Sequence, residues 1–337
     1  MRTSLNIVFA QPHKLELRHE PIGDPAPDEI LIKTRRTLIS TGTELNALLQ
    51  RYEPTSYQAT WMKYPFYPGY SNIGEVLAVG RDITTFKPGD LAATRVNHRQ
   101  FSNTTIDRAA VLPPALHGRE EEAAFCAIAC IVQNGIRAAE PTLGDVVAVV
   151  GLGLLGQLAV QYALVAGARY VVAIDPVQQR RNMALAYGAT HAVSTIDEAK
   201  KLLAALTRDR LADTVYEITG LPHVLAPALG LCRKMGTLLL LGTSGNPSQQ
   251  HLSADFVARG LKIISAHDAT PPSPGTNRDY WSHPHMSELF LDLLATGRLR
   301  TKGLITHRFK PTEAQAAYDV LINDSPNTMG VIFEWPE

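Results

Sequence analysis

The stretch Val146-Val147-Ala148-Val149-Val150-Gly151-Leu152-Gly153-Leu154-Leu155-Gly156 decides the fold. Five apolar residues with no polar alternation read as a strand covered on both faces. The three glycines follow in G-x-G-x-x-G spacing, and Leu155–Val165 reads as a helix. The spacing alone is weak. The strand before it, the helix after it, and Asp175 closing the next strand, 24 positions after Gly151, supply the context of a dinucleotide site. Gly151 permits the tight turn. Gly153, without a Cβ, lets the backbone approach a pyrophosphate, and Gly156 lets the helix pack close to the sheet. Leu152, Leu154 and Leu155 complete the cradle, at a helix N-terminus whose N–H groups and partial positive charge suit phosphate. Asp175 can accept hydrogen bonds from the adenosine ribose hydroxyls and would repel a 2′-phosphate. NAD is therefore expected over NADP, although Arg180 and Arg181 a turn later keep NADP open.

Strands and helices alternate around this stretch. Tyr170–Ile174, Asp213–Ile218, Thr237–Leu241 and Lys262–Ser265 read as strands, with helices over Gln178–Ala186 and Pro222–Cys232. Such alternation predicts βαβ units and a parallel sheet. Ligands of these sheets lie outside the carboxyl ends of the strands. Thr219, after Glu217-Ile218, and Gly242-Thr243 are therefore candidate contacts to the nicotinamide half.

The preceding part of the chain differs. Ile30–Lys33, Gly74–Val79 and Asp90–Val96 read as strands separated by turns such as Lys87-Pro88-Gly89-Asp90, which suggests an antiparallel, barrel-like unit. Glu120–Arg137 reads as a buried helix. Thr270–Gly275 reads as a loop, His285–Ala295 and Pro311–Ile322 as helices, and Val331–Trp335 as a closing strand.

With 337 residues, about two domains are expected. Lys+Arg and Asp+Glu both number 32, so no basic excess exists to displace counterions, and no nucleic-acid partner is expected. Three cysteines make no disulfide framework and fit a reducing, cytoplasmic home. The apolar run near the N-terminus is too short for a secretory signal. Val146–Ala168 lacks charge over a span-like length, but its early glycines and Gln157 and Gln161 favour strand, turn and helix over a membrane span.

The chain resembles the medium-chain dehydrogenase/reductase family through Thr41-Gly-Thr-Glu44, Pro68-Gly69, Gly74–Gly80, Lys87–Asp90, Gly144-Asp145 and Gly151–Gly156. The resemblance implies a mixed α/β architecture. A GroES-like, β-rich catalytic domain would comprise residues 1–124 and 270–337, and a Rossmann domain with a doubly wound parallel sheet residues 125–269. It also implies a homodimer, with the region of Thr237–Leu241 and Lys262–Ser265 at its interface.

Departures from the family pattern matter as much. Zinc-dependent members carry Cys-Gly-Thr-Asp where this chain has Thr41-Gly-Thr-Glu44, and Gly-His-Glu where it has Gly69-Tyr70-Ser71. Only Cys126 matches a ligand position, and no Cys lies between Asp90 and Glu120, where the structural zinc lobe belongs. No zinc is expected, since zinc takes Cys, His or carboxylate ligands. Cys126 and Cys130 read as buried small hydrophobes, and His283 and His285 as a surface pair in a Pro-containing loop.

Without a metal, hydride transfer still needs a group to handle the proton. Tyr70, Thr43 and His98 are the catalytic candidates, with His267 a further one. Glu44 reads as a brace. The form of the Thr41–Glu44 segment is similar to a polyol- or cyclitol-dehydrogenase branch and to the dehydrogenase of a hydroxyethyl group in bacteriochlorophyll synthesis. The expected activity is NAD-dependent interconversion of a secondary alcohol and a ketone on a small molecule. Reduction of an enone C=C bond, and a nucleotide-binding scaffold without turnover, remain alternatives.

Overall fold

The computed structural model describes residues 2–268 and 280–336. The chain forms two compact units. One comprises Met1–Arg51, Tyr57–Cys130 and Pro274–Glu337, the other Tyr52–Ser56 and Ile131–Ser273. The architecture is mixed α/β, with a parallel sheet in the second unit and a largely antiparallel one in the first. The predicted loop at Thr270–Gly275 lies outside the described residues.

The second unit is built on six strands in the order His191–Val193, Tyr170–Ile174, Val146–Val150, Ala212–Glu217, Cys232–Leu240, Lys262–Ser265, all parallel. From Val146–Val150 the chain moves outward on one side, then returns to continue on the other. The order therefore reverses between Val146–Val150 and Ala212–Glu217, the place where such sheets leave a crevice for a ligand. Val146, Ala148 and Val150 point into a core with Val172, Val215 and Leu238, and all six residues of Ala212–Glu217 are buried. At the opposite end of the sheet Asp213 accepts the Val146 N–H at 2.9 Å and Arg233 Nε at 2.7 Å, fastening two central strands.

Two expectations need adjusting here. Pro222–Cys232 is not one helix: a 3-10 turn over Pro222–Val224 and a helix over Leu225–Leu229 end at Gly230, and the strand already begins at Cys232. Gly230 is the C-cap, and its N–H returns to the Ala226 and Pro227 carbonyls. Likewise Glu120–Arg137 is two helices, Glu120–Ala123 and Cys126–Ala139.

In the first unit, Arg2–Gln11 and Lys14–Ile22 form an antiparallel hairpin, so the N-terminal apolar run is a strand with Ile7, Val8 and Phe9 wholly buried. A second sheet runs Ile305–Phe309, Gly330–Glu334, Glu29–Leu38, Asn72–Val79, Leu91–Thr94, Ala109–Val111, with Phe101–Thr105 also paired to Glu29–Leu38. The helix Thr41–Leu49 follows directly on Glu29–Leu38. His283 and His285 do not sit in a loop. They open the helix His283–Ala295, with Pro284 in the first turn, where its missing N–H is no loss. Among the described residues no helix is long and apolar enough to cross a membrane.

Candidate active site

The glycine turn is formed by backbone requirements that only glycine meets. Gly151 has φ 95°, and a Cβ on it would come within 2.9 Å of Thr219 Cγ2. A Cβ on Gly156 would lie 2.0 Å from the Gly151 oxygen, so the helix Leu154–Val165 starts hard against the strand end. At Gly153 a Cβ would meet nothing within 4 Å, which leaves open space beside the backbone at the helix N-cap. That combination fits a pyrophosphate. Leu152 and Leu154 bury their side chains, so each offers a ligand its backbone, while Leu155 is half-buried.

Asp175 is 4% exposed and braces this turn. Its Oδ2 accepts the Leu152 N–H at 2.9 Å and its Oδ1 the Val177 N–H at 2.8 Å. Each carboxylate oxygen keeps a second lone pair for a ribose hydroxyl. Arg180 Nη1 lies 3.9 Å from Asp175 Oδ2, while Arg181 Nη1 donates to the Asp175 and Pro176 carbonyls.

Thr219 packs against Gly151, as the sheet order requires. Glu217, at the end of the adjacent strand, sets its conformation: Oε1 accepts the Thr219 N–H at 2.7 Å and also the Thr219 hydroxyl. Burial pushes the Glu217 carboxyl upward, against the opposing pull of these Thr219 bonds. The Glu217 carbonyl accepts the N–H groups of Leu241 and Gly242, both at 3.0 Å. Gly242 passes so close that a Cβ would lie 2.4 Å from Gly220 N. Thr243 is exposed at this edge. Glu217 thus ties both strand-end loops together, a role that its position in Glu217-Ile218-Thr219-Gly220 alone did not reveal.

In the first unit the structure brings Tyr70 and Thr43 together. The Tyr70 hydroxyl hydrogen-bonds Ser40 Oγ and lies 3.5 Å from Thr43 Oγ1. Tyr70 and Thr43 are half-buried. His98 belongs to a different cluster. It is wholly buried, its Nε2 lies 3.0 Å from Glu44 Oε2, and its ring packs edge-on to Phe333 at 5.1 Å. Gly69 makes room for it, since a Cβ there would stand 2.8 Å from the imidazole. Tyr318 OH donates to the same Glu44 oxygen, and Ser40 N–H to Glu44 Oε1 at 2.7 Å. Ser40 therefore joins the two clusters, with its hydroxyl on Tyr70 and its N–H on Glu44. His267 is half-buried in the second unit, where its carbonyl accepts Asn134 Nδ2 at 3.1 Å.

Residues 155–272 match a family model described as zinc-binding dehydrogenase. Over 277 residues the chain is 28% identical to D-guloside 3-dehydrogenase of Escherichia coli (strain K12), spanning 80% of this chain and 78% of that one. Over 344 residues it is 26% identical to 2-desacetyl-2-hydroxyethyl bacteriochlorophyllide A dehydrogenase of Rhodobacter capsulatus, spanning 98% of both. These matches support the resemblance to the medium-chain dehydrogenase/reductase family. These relatives are named dehydrogenases, which supports an oxidoreductase here. Two solved structures share its fold. An alcohol dehydrogenase from Escherichia coli CFT073, complexed with NADH, has TM-score 0.80 at 18% identity over 98% of this chain and 99% of that one. A zinc-binding-type dehydrogenase from Sinorhizobium meliloti 1021, bound to NADP, has TM-score 0.78 at 21% identity over 99% and 100%.

The Thr41 and Tyr70 side chains are not among the usual ligands of zinc. Thr41 and Tyr70 carry hydroxyls where zinc members carry thiolate and imidazole. The Cys126 thiol is pushed well above its ordinary range by its hydrogen bond with Cys130 and by burial. Among the described residues no three of His, Cys, Asp and Glu gather to hold a metal ion.

Proposed function

We propose that this chain is a zinc-independent, NAD(H)-dependent dehydrogenase that interconverts a secondary alcohol and a ketone on a sugar, cyclitol or specialised metabolite. The observation that carries the reading is the Tyr70 hydroxyl, bonded to Ser40 and beside Thr43, at the position of a zinc ligand. The names of the guloside and hydroxyethyl-bacteriochlorophyllide relatives support the substrate class.

A bound nicotinamide dinucleotide supplies the hydride acceptor. The open backbone at Gly153 and the helix N-terminus hold its pyrophosphate. Asp175 accepts from the ribose, and its buried negative charge disfavours a 2′-phosphate. During oxidation Tyr70, acting as the phenolate, would take the substrate O–H proton and become the neutral phenol, while the C–H hydride would pass to the bound nicotinamide. Ser40 Oγ–H stabilises the oxygen that receives it, with Thr43 beside. Glu44 fixes Ser40 by accepting its N–H. In the reverse direction Tyr70 returns the proton to the developing alkoxide.

The test is oxidation of a panel of sugar and cyclitol secondary alcohols, with NAD and NADP in parallel and metal content measured on the same sample. Turnover with NAD that survives chelation is expected. Preference for NADP, or stoichiometric zinc needed for turnover, overturns the reading. A homodimer in the cytoplasm belongs to the same proposal. Lys262–Ser265 ends the sheet order, which supports pairing with a second copy, and three free buried cysteines suit a reducing compartment. A monomer by light scattering refutes the dimer.

A further inference from the structure

A cavity of about 230 Å³ lies in the first unit, lined by Arg95, Arg99 and Arg108 together with Ser102, Thr104 and Glu29. Arg99 and Arg108 bring two guanidinium groups to this one small cavity, where like charges repel unless an anion joins them. Neither Arg99 nor Arg108 has a carboxylate oxygen within 4.0 Å among the described residues. The carboxylate whose charge reaches Arg99 is Glu20, and neutral donors already hold it: Tyr67 OH at 2.6 Å and Asn6 Nδ2 at 2.5 Å.

Arg99 is half-buried, and its Nε is shut off from solvent with no hydrogen-bond acceptor. Its guanidinium rests over the Tyr67 ring, 5.4 Å from the centroid, which fixes the fork but gives its N–H groups nothing to donate to. Arg108 is held by an Nη2 bond to the Arg95 carbonyl at 2.8 Å. Ser102 and Thr104 are buried, and each hydroxyl reaches just the carbonyl of the next residue, at 3.2 and 3.5 Å. Among the described lining residues Glu29 carries the opposing charge, and its Oε2 is engaged by the Ala26 N–H at 3.0 Å.

We infer that this cavity is an anion site for a phosphate group, separate from the dinucleotide turn of the other unit. Its ligand is inorganic phosphate or the phosphate of a small phosphorylated metabolite. Guanidinium forks and hydroxyl donors match phosphate oxygens. The cavity lies below the roughly 300–1,000 Å³ of drug-sized sites, so the ligand is small. Nothing in this inference depends on the substrate proposed above.

Calorimetric titration of the full chain with inorganic phosphate, at ionic strength held constant with chloride, tests it. Saturable binding is expected, weakened about tenfold or more in Arg99→Gln and in Arg108→Gln. It should be unchanged in Arg81→Gln, whose side chain is 83% exposed. Circular dichroism shows whether Arg99→Gln folds, and the exposed Arg108 decides the matter if it does not. Glycerol 1-phosphate in a parallel arm identifies the source: tighter binding points to a phosphorylated metabolite, equal binding to free phosphate. The inference is overturned by absence of saturable binding, or by phosphate binding that persists in both arginine variants and so belongs elsewhere.

Discussion

Tyr318 and Glu44 stand 274 positions apart in sequence and meet inside one unit, the phenol donating to Glu44 Oε2 at 2.5 Å with both side chains shut off from solvent. Glu44 also receives the Ser40 N–H at 2.7 Å and faces His98 Nε2 at 3.0 Å. A carboxylate in such surroundings is tolerable only with donors around it. Tyr318→Phe removes one donor and leaves the ring packing against Phe9 intact. A loss of about 1.5–3 kcal/mol in urea unfolding is expected, the worth of a hydrogen bond to a charged group. An unchanged midpoint would show that Glu44 does not depend on the phenol.

Tyr70→Phe removes the hydroxyl that meets Ser40 and Thr43 and preserves the ring. The turnover number should fall by about 10²–10⁴, the usual contribution of a positioned proton-transfer group. Binding of NADH, followed by its fluorescence, should not change, because the dinucleotide residues belong to the other unit. Thr43→Val should cost less, since its 3.5 Å contact is at the limit of a hydrogen bond. Equal turnover in Tyr70→Phe would remove Tyr70 from the mechanism.

The parallel sheet was legible because its strands are short apolar runs bounded by glycine and acidic residues, and Lys262–Ser265 and Gln178–Ala186 fall where the pattern puts them. The N-terminal strand was harder. Ile7, Val8 and Phe9 are consecutive and all buried, so alternation is missing. The helix Thr41–Leu49 hides behind Ser40-Thr41-Gly42-Thr43, which locally resembles a turn. Helix Ile196–Thr207 did carry a signal, Thr195 three residues before Glu198, and the Thr195 hydroxyl accepts the Glu198 N–H. At the site, the glycine turn and Asp175 are local and readable. The joining of Tyr70 to Ser40, and of His98 and Tyr318 to Glu44, depends on tertiary approach, which no spacing encodes.

Asp175→Asn keeps the shape of the side chain and discards its charge. The acceptor oxygen that remains can serve the Leu152 or the Val177 N–H but not both. Affinity for NAD should fall and that for NADP should rise, shifting their ratio by about tenfold or more. Dissociation constants for both nucleotides measure this. A ratio that does not move would mean that Asp175 serves the turn alone.

Glu217 gives a pH-dependent prediction. Its side chain is wholly buried, and Oε2 has no hydrogen-bond partner among the described residues. Burial raises its pKa above the ordinary 4.5, despite the opposing Thr219 bonds. The folded state therefore holds this proton to higher pH than the unfolded chain does. Stability must fall as pH rises through the interval between the two values, and the cost stays constant above it. Glu217→Gln keeps an acceptor for Thr219 and cannot ionise. Its unpartnered amide carries a cost that does not vary with pH. The variant should therefore gain on the parent protein as pH climbs from 4.5 and then hold level, in urea midpoints taken from pH 4 to 8. Parallel curves over that range would mean that Glu217 titrates alike in both states, and its burial would then impose no charge penalty on the fold.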